Sequence, residues 1–110
     1  MTEITLTTNE KTTQIVISGH SSTKRVNDID LCCCSVSTLA FTLLKTLEKL
    51  KLQNLRYTFF KGYCAMSFEK DEENAFKALA AIDTVMNGFA LLKESYPQNI
   101  KITTKGMVSI

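Results

Sequence analysis

Ile4 and Leu6 alternate with polar neighbours, and after Asn9 and Glu10 the alternation resumes at Thr13, Ile15 and Ile17, interrupted only by Val16. A period of two marks half-buried strands, and the Asn-Glu pair between them marks a turn. Residues up to Gly19 therefore read as an antiparallel hairpin. Ser21 to Asp30 is polar without a sustained period and reads as a surface loop. The period then lengthens. Val36, Leu39, Ala40, Leu43, Leu47 and Leu50 fall on one helical face, with Lys45, Glu48 and Lys49 on the other. Asp30 stands at the N-cap position, which makes Leu31 to Cys33 the first helical residues. Leu55 to Phe60 and Tyr63 to Phe68 are rich in β-branched and aromatic types and flank the pair Lys61-Gly62, the pattern of a second hairpin. Asp71 to Ser95 reads as a second helix, acidic at its start, with Phe76, Leu79, Ile82, Met86 and Phe89 on its apolar face. Pro97 stops it, and Ile100 to Thr104 reads as a last strand. The order β-β-α-β-β-α-β predicts an α+β fold, an antiparallel or mixed sheet with both helices packed on it.

The 110 residues are 45% hydrophobic and 22% charged, with no composition break, linker or repeat. One domain over residues 1–110 is expected, large enough for a core that needs no metal or disulfide staple. A net charge of +2 from 13 basic and 11 acidic residues argues against a protein whose task is to grip nucleic acid. The longest uninterrupted apolar run, Ala78 to Ile82, is short even for a signal-peptide core, so no membrane segment is expected. A single histidine excludes a zinc site with two His ligands and routes any His-dependent chemistry through His20. Cys32, Cys33 and Cys34 are consecutive and cannot pair with one another without strain, which leaves Cys64 as their one possible partner. A reducing, cytoplasmic compartment with all four as thiols follows as the expectation.

Chemistry concentrates at the head of the first helix. With about 100° per residue and Val36 at the middle of the core face, Cys32 lies about 40° to one side, Cys33 about 60° to the other and Cys34 about 160° away. Cys32 is then core packing and Cys34 points outward. Cys33 sits at the border of the buried face, and Ser37 and Phe41 continue that border at four-residue spacing. A thiol in the first turn is acidified by the helix dipole and opposed by the nearby Asp30 carboxylate. An imidazolium supplied by His20 is the stronger aid, and a loop of that length can return to the helix head. Each residue also has a plainer reading: a buried cysteine as a small hydrophobe, His20 as a turn residue, Asp30 as a cap, Phe41 as a packing or dimer contact, and Lys45, Lys49 and Lys51 as a solvated face.

Taken together, Gly19-His20, a polar loop, and Asp30-Leu31-Cys32-Cys33 followed by Ser37 resemble the ribosomal-processing cysteine protease family Prp. Its signature is a Gly-His pair, a loop, and Asp-Ile-Val-Cys-Ala-Ala-x-Ser. The resemblance places the family's nucleophile on Cys33, its histidine on His20, its aspartate on Asp30 and its helix serine on Ser37. This chain departs from the signature in having Ser21 after the histidine, no glycine between His20 and Cys33, a loop one residue longer, and cysteines at 32 and 34.

The resemblance implies a dimeric, cytoplasmic bacterial endopeptidase. Its substrate is the N-terminal extension of large-subunit ribosomal protein number twenty-seven, cut after aromatic residues during ribosome assembly. A Cys33 thiolate would attack, with His20 as acid and base, first-turn amides as oxyanion donors, and Ser21 to Asp28 as a closing loop. Lys24 and Arg25 in that loop have two readings, a pair facing an approaching ligand and, more simply, a solvated loop. No metal, cofactor, nucleic acid or membrane is called for. The competing readings are a non-catalytic α+β binding module of the same fold, ribosome-associated in one version, and a thiol sensor built on Cys33 and Cys34.

Overall fold

The computed structural model describes residues 1–19, 25–26, 29–70 and 74–106, with the backbone alone at 25, 26, 29 and 30. Seven strands and two helices follow in the order β1 (Thr2–Thr8), β2 (Thr12–Ser18), β3 (Arg25–Val26), β4 (Ile29–Asp30), α1 (Leu31–Lys49), β5 (Arg56–Phe60), β6 (Tyr63–Glu69), α2 (Ala75–Ser95) and β7 (Ile100–Gly106). Five strands form one sheet in the order β5-β6-β2-β1-β7. Its pairings are antiparallel except β1 with β7, so the sheet is mixed.

The period of two does what it predicts. Thr2, Ile4, Leu6 and Thr8 are buried along β1, as are Thr13, Ile15 and Ile17 on β2 and Cys64, Met66 and Phe68 on β6. In register, Ile4 stands opposite Ile17 and Ile17 opposite Cys64, so one face of the sheet carries the core. Onto it α1 packs Cys32, Val36, Ala40, Leu43, Leu44 and Leu47, and α2 packs Ala78, Ile82, Val85 and Phe89. The Asn9 side chain builds the first turn by accepting hydrogen bonds from the Lys11 and Thr12 amides at 2.9 and 2.8 Å. Asn74 ties the two helices together instead of capping its own: its side-chain amide donates to the Leu50 carbonyl at 3.0 Å.

Two expectations need correction. Phe76 is 70% exposed, because the buried stripe of α2 runs through Ala78, Ile82, Val85 and Phe89, and Phe76 lies about 200° from Ala78 on the helix. Leu79 and Met86 flank that stripe and are half-buried. The region read as an unstructured loop contains a two-residue ladder, Arg25 opposite Asp30 and Val26 opposite Ile29, which leads directly into α1. The second helix is described from Ala75, and its expected acidic start at Asp71 to Glu73 lies outside the described residues. Both helices are long and apolar enough to cross a bilayer by length and composition alone. Their uninterrupted apolar runs are nonetheless short, because Ser, Thr, Lys, Asp and Asn punctuate them, and in the fold each helix turns its apolar stripe to the core.

Candidate active site

Cys33 lies in the first turn of α1, one turn before Ser37 and two before Phe41. The three cysteines divide as helical geometry requires: Cys32 is fully buried, Cys33 half-buried and Cys34 exposed, all as thiols. Cys33 opens onto a groove of about 460 Å³. Ser37 and Phe41 line the same wall of it, Val36 and Ala40 form its floor, and Phe59, Phe60 and Tyr63 come from the β5–β6 hairpin opposite.

The hairpin builds its wall from two stacked ring pairs. Phe59 stands opposite Cys64 and so faces the helices, where its ring stacks on Phe41 with centroids 4.9 Å apart and planes 15° from parallel. Phe60 and Tyr63 flank the Lys61-Gly62 turn and stack at 4.8 Å and 11°. Tyr57 leans on Phe59 at 6.0 Å. Of six phenylalanines and three tyrosines, five gather here, and Phe41, Tyr57 and Phe60 are each more than half exposed. Exposed aromatic surface beside a thiol is a place for a ligand with an apolar side chain.

Gly19 forms the end of the groove nearest the N-terminus. Its φ is +93°, a Cβ there would run into the Met1 carbonyl oxygen, and its amide donates to the Gly62 carbonyl at 2.8 Å. Only glycine lets β2 end against the hairpin turn at this point. The position matters because the next residue is His20, the expected base.

His20, Ser21 and Lys24 lie outside the described residues. Arg25 and Asp30 are placed by their backbones, paired across the β3–β4 ladder at the head of α1. Cys64, expected as strand packing, also reaches the groove wall, and burial raises its thiol from the ordinary 9.0 to about 11. It stays protonated at neutral pH and is a poor nucleophile. Sequence reading missed the aromatic wall. Three aromatics within Tyr57 to Phe60, falling on both faces of one strand, were the available signal, since a strand with one buried face has no use for them on the other. Among the described residues, no cluster of three or more metal-ligating side chains occurs.

A half-buried cysteine at a helix head, opening into an aromatic groove on a mixed α+β sheet, defines a site suited to thiol hydrolysis of peptides. The sequence profile of the cysteine protease Prp family matches residues 1–101. The chain belongs to that family, and it is a cysteine protease by class. Its fold is similar to the essential ribosomal processing protease Prp from S. aureus, both in complex with a covalently linked product peptide (TM-score 0.75, 19% identity) and with a substrate peptide (TM-score 0.75, 18% identity). In each case 96% of this chain and 100% of the other are covered. SMU.848 from Streptococcus mutans is similar at TM-score 0.67 and 23% identity, covering 94% of this chain and 95% of that one. A search of curated proteins returned no match.

Proposed function

We propose that this protein is an endopeptidase that removes the N-terminal extension of large-subunit ribosomal protein number twenty-seven, with Cys33 as nucleophile and His20 as general acid and base. The observation that carries the proposal is the position of Cys33, in the first helical turn and at the mouth of a groove walled by Phe41, Phe59, Phe60 and Tyr63. The S. aureus relative is a ribosomal processing protease crystallised with peptides, which supports a peptide in this groove.

In this reading the Cys33 thiolate attacks the scissile carbonyl, and the oxyanion is held by first-turn amides of α1, each worth on the order of 3 kcal/mol in the transition state. Collapse expels the amine, which takes a proton from His20, and leaves a thioester on Cys33. Water, deprotonated by His20, then attacks the thioester, and the extension leaves as a carboxylic acid. Asp30 caps the helix that carries the nucleophile, and Ser37 hydrogen-bonds within the groove. Ser21, Lys24 and Arg25 belong to the segment that closes over the peptide. An aromatic side chain before the scissile bond fills the space between Phe41 and Tyr63. The enzyme works in the reducing cytoplasm as a homodimer, where four thiols persist.

The test is to incubate the purified protein with a peptide copying the first residues of that ribosomal protein from the same genome and to map the products by mass spectrometry. Cleavage at one bond after an aromatic residue is expected. An intact peptide, or a ribosomal protein gene with no extension to remove, contradicts the proposal.

A further inference from the structure

The five-stranded sheet ends in two edges, and they are finished differently. Edge strand β7 carries exposed Lys101 and Lys105, the kind of charge that keeps an unpaired strand from accepting another. Edge strand β5 runs Tyr57-Thr58-Phe59-Phe60 between Arg56 and Lys61 without a charge or a proline. The helix layer also stops short of it. Tyr57 stands opposite buried Met66, on the face of the sheet that the helices cover, and is still 51% exposed. The free hydrogen-bonding groups of β5 follow from its register. Phe60 and Tyr63 flank a two-residue turn and so form a pair that exchanges both backbone bonds. Alternation then points the amide and carbonyl of Arg56 and Thr58 toward β6, and those of Tyr57 and Phe59 away from the sheet. Among the described residues no hydrogen bond reaches these outward groups. Phe59 therefore presents its ring to the groove that holds Cys33 and its main chain to the open edge beside it.

We infer that the substrate peptide docks as an added strand on β5, pairing its main chain with Tyr57 and Phe59. The inference deepens the peptidase reading above and rests on it for the nature of the occupant. Continuity with the groove argues for a peptide here, because Phe59 and Phe60 of β5 line the same groove as Cys33. An extended peptide supplies both things this edge lacks. Its main chain provides partners for the outward groups, and its alternate side chains cover Tyr57 and Phe59 from the helix side. Main-chain pairing holds the peptide extended whatever its sequence, and the aromatic wall then selects among the alternate side chains.

Fluorescein-labelled copies of the ribosomal-protein extension, each N-methylated at one successive backbone nitrogen, test this without altering a side chain. Binding is read by anisotropy with Cys33→Ala protein, and cleavage by chromatography with the wild type. Methylation should raise Kd roughly tenfold at every second residue of the paired stretch and leave the residues between nearly unaffected. On the protein, Tyr57→Pro removes one outward amide together with the ring and spares the ladder to β6, whereas Tyr57→Ala removes the ring alone. KM should rise roughly tenfold in the first and roughly twofold in the second, with kcat little changed. The methylation series uses the unsubstituted edge, so it decides the matter even where Tyr57→Pro is unstable. Cleavage with no alternation along the peptide overturns strand addition and leaves the peptidase reading standing. Alternation in binding with no cleavage of any peptide supports strand addition and overturns proteolysis. Neither binding nor cleavage overturns both. Self-association in sedimentation that Tyr57→Pro abolishes and Tyr57→Ala retains assigns the edge to a second copy of the chain and overturns peptide docking there.

Discussion

Phe41 on α1 and Phe59 on the edge strand β5 stack at 4.9 Å, tying a helix position two turns beyond Cys33 to the rim of the sheet. The pair is half in solvent, with Phe41 56% exposed, so it contributes only about 1 kcal/mol to stability. Its larger effect is on the width of the groove. Phe41→Ala should lower kcat/KM for an aromatic peptide about tenfold, chiefly through KM, whereas Phe41→Tyr should retain most of it. Denaturant unfolding alongside peptide kinetics separates the two contributions. A loss of stability with unchanged KM would make the stack a structural contact only.

Gly19 combines a positive φ with a carbonyl where a Cβ would sit. Gly19→Ala should cost about 2 kcal/mol by forcing the end of β2 away from Met1 and from the Gly62 turn. Because the same residue leads into His20, activity should fall further than the unfolded fraction explains. Thermal unfolding and kinetics on the same sample check both.

The Cys64 thiol gives a signed pH prediction. Its value is about 11 in the fold against an ordinary 9.0. Below pH 9 the thiol is protonated in both states, so its full contribution to stability is present. Between about 9 and 11 the unfolded chain releases the proton and the folded one holds it, and stability declines by at most about 1.4 kcal/mol per pH unit. Cys64→Ala should flatten the difference in this window while costing about 1 kcal/mol below it. Urea titrations of both proteins at pH 8, 9 and 10 measure the slope.

Phe89 is fully buried where α2 meets the sheet and α1. Phe89→Ala should cost about 3 to 5 kcal/mol, whereas Phe76→Ala on the same helix should change stability by less than about 0.5 kcal/mol. Midpoints of urea unfolding distinguish them.

That contrast also shows what can be read from a chain before it is folded. Both main hairpins were legible because a period of two, a side-chain turn at Asn9 and a glycine at 62 each act over a few residues. The separation of Cys32, Cys33 and Cys34 was legible because a helix turns by a fixed angle per residue. Phe76 misled because a large aromatic outweighs Ala78 in any apolar count, although the small residue is the one that lets α2 approach the core. The β3–β4 ladder has strands too short to carry a period. The aromatic wall depends on register: Phe59 meets Phe41 only because β5 pairs Phe59 with Cys64 and the hairpin lies beside α1. Such a meeting between residues distant in sequence is invisible to local pattern. His20 was named as the one histidine and Asp30 as a helix cap before the motif added to either, and the places of His20 and of the Asp30 side chain fall outside the described residues.

The central claim is that Cys33, and neither Cys34 nor Cys64, carries out the reaction. Cleavage of the ribosomal-protein peptide by wild type, Cys33→Ala, Cys34→Ala and Cys64→Ala, each first confirmed as folded, measures this directly. The account predicts a drop in kcat of at least about a thousandfold for Cys33→Ala and changes within about tenfold for the other two. Cleavage that survives Cys33→Ala, or that is lost in Cys34→Ala alone, would contradict it.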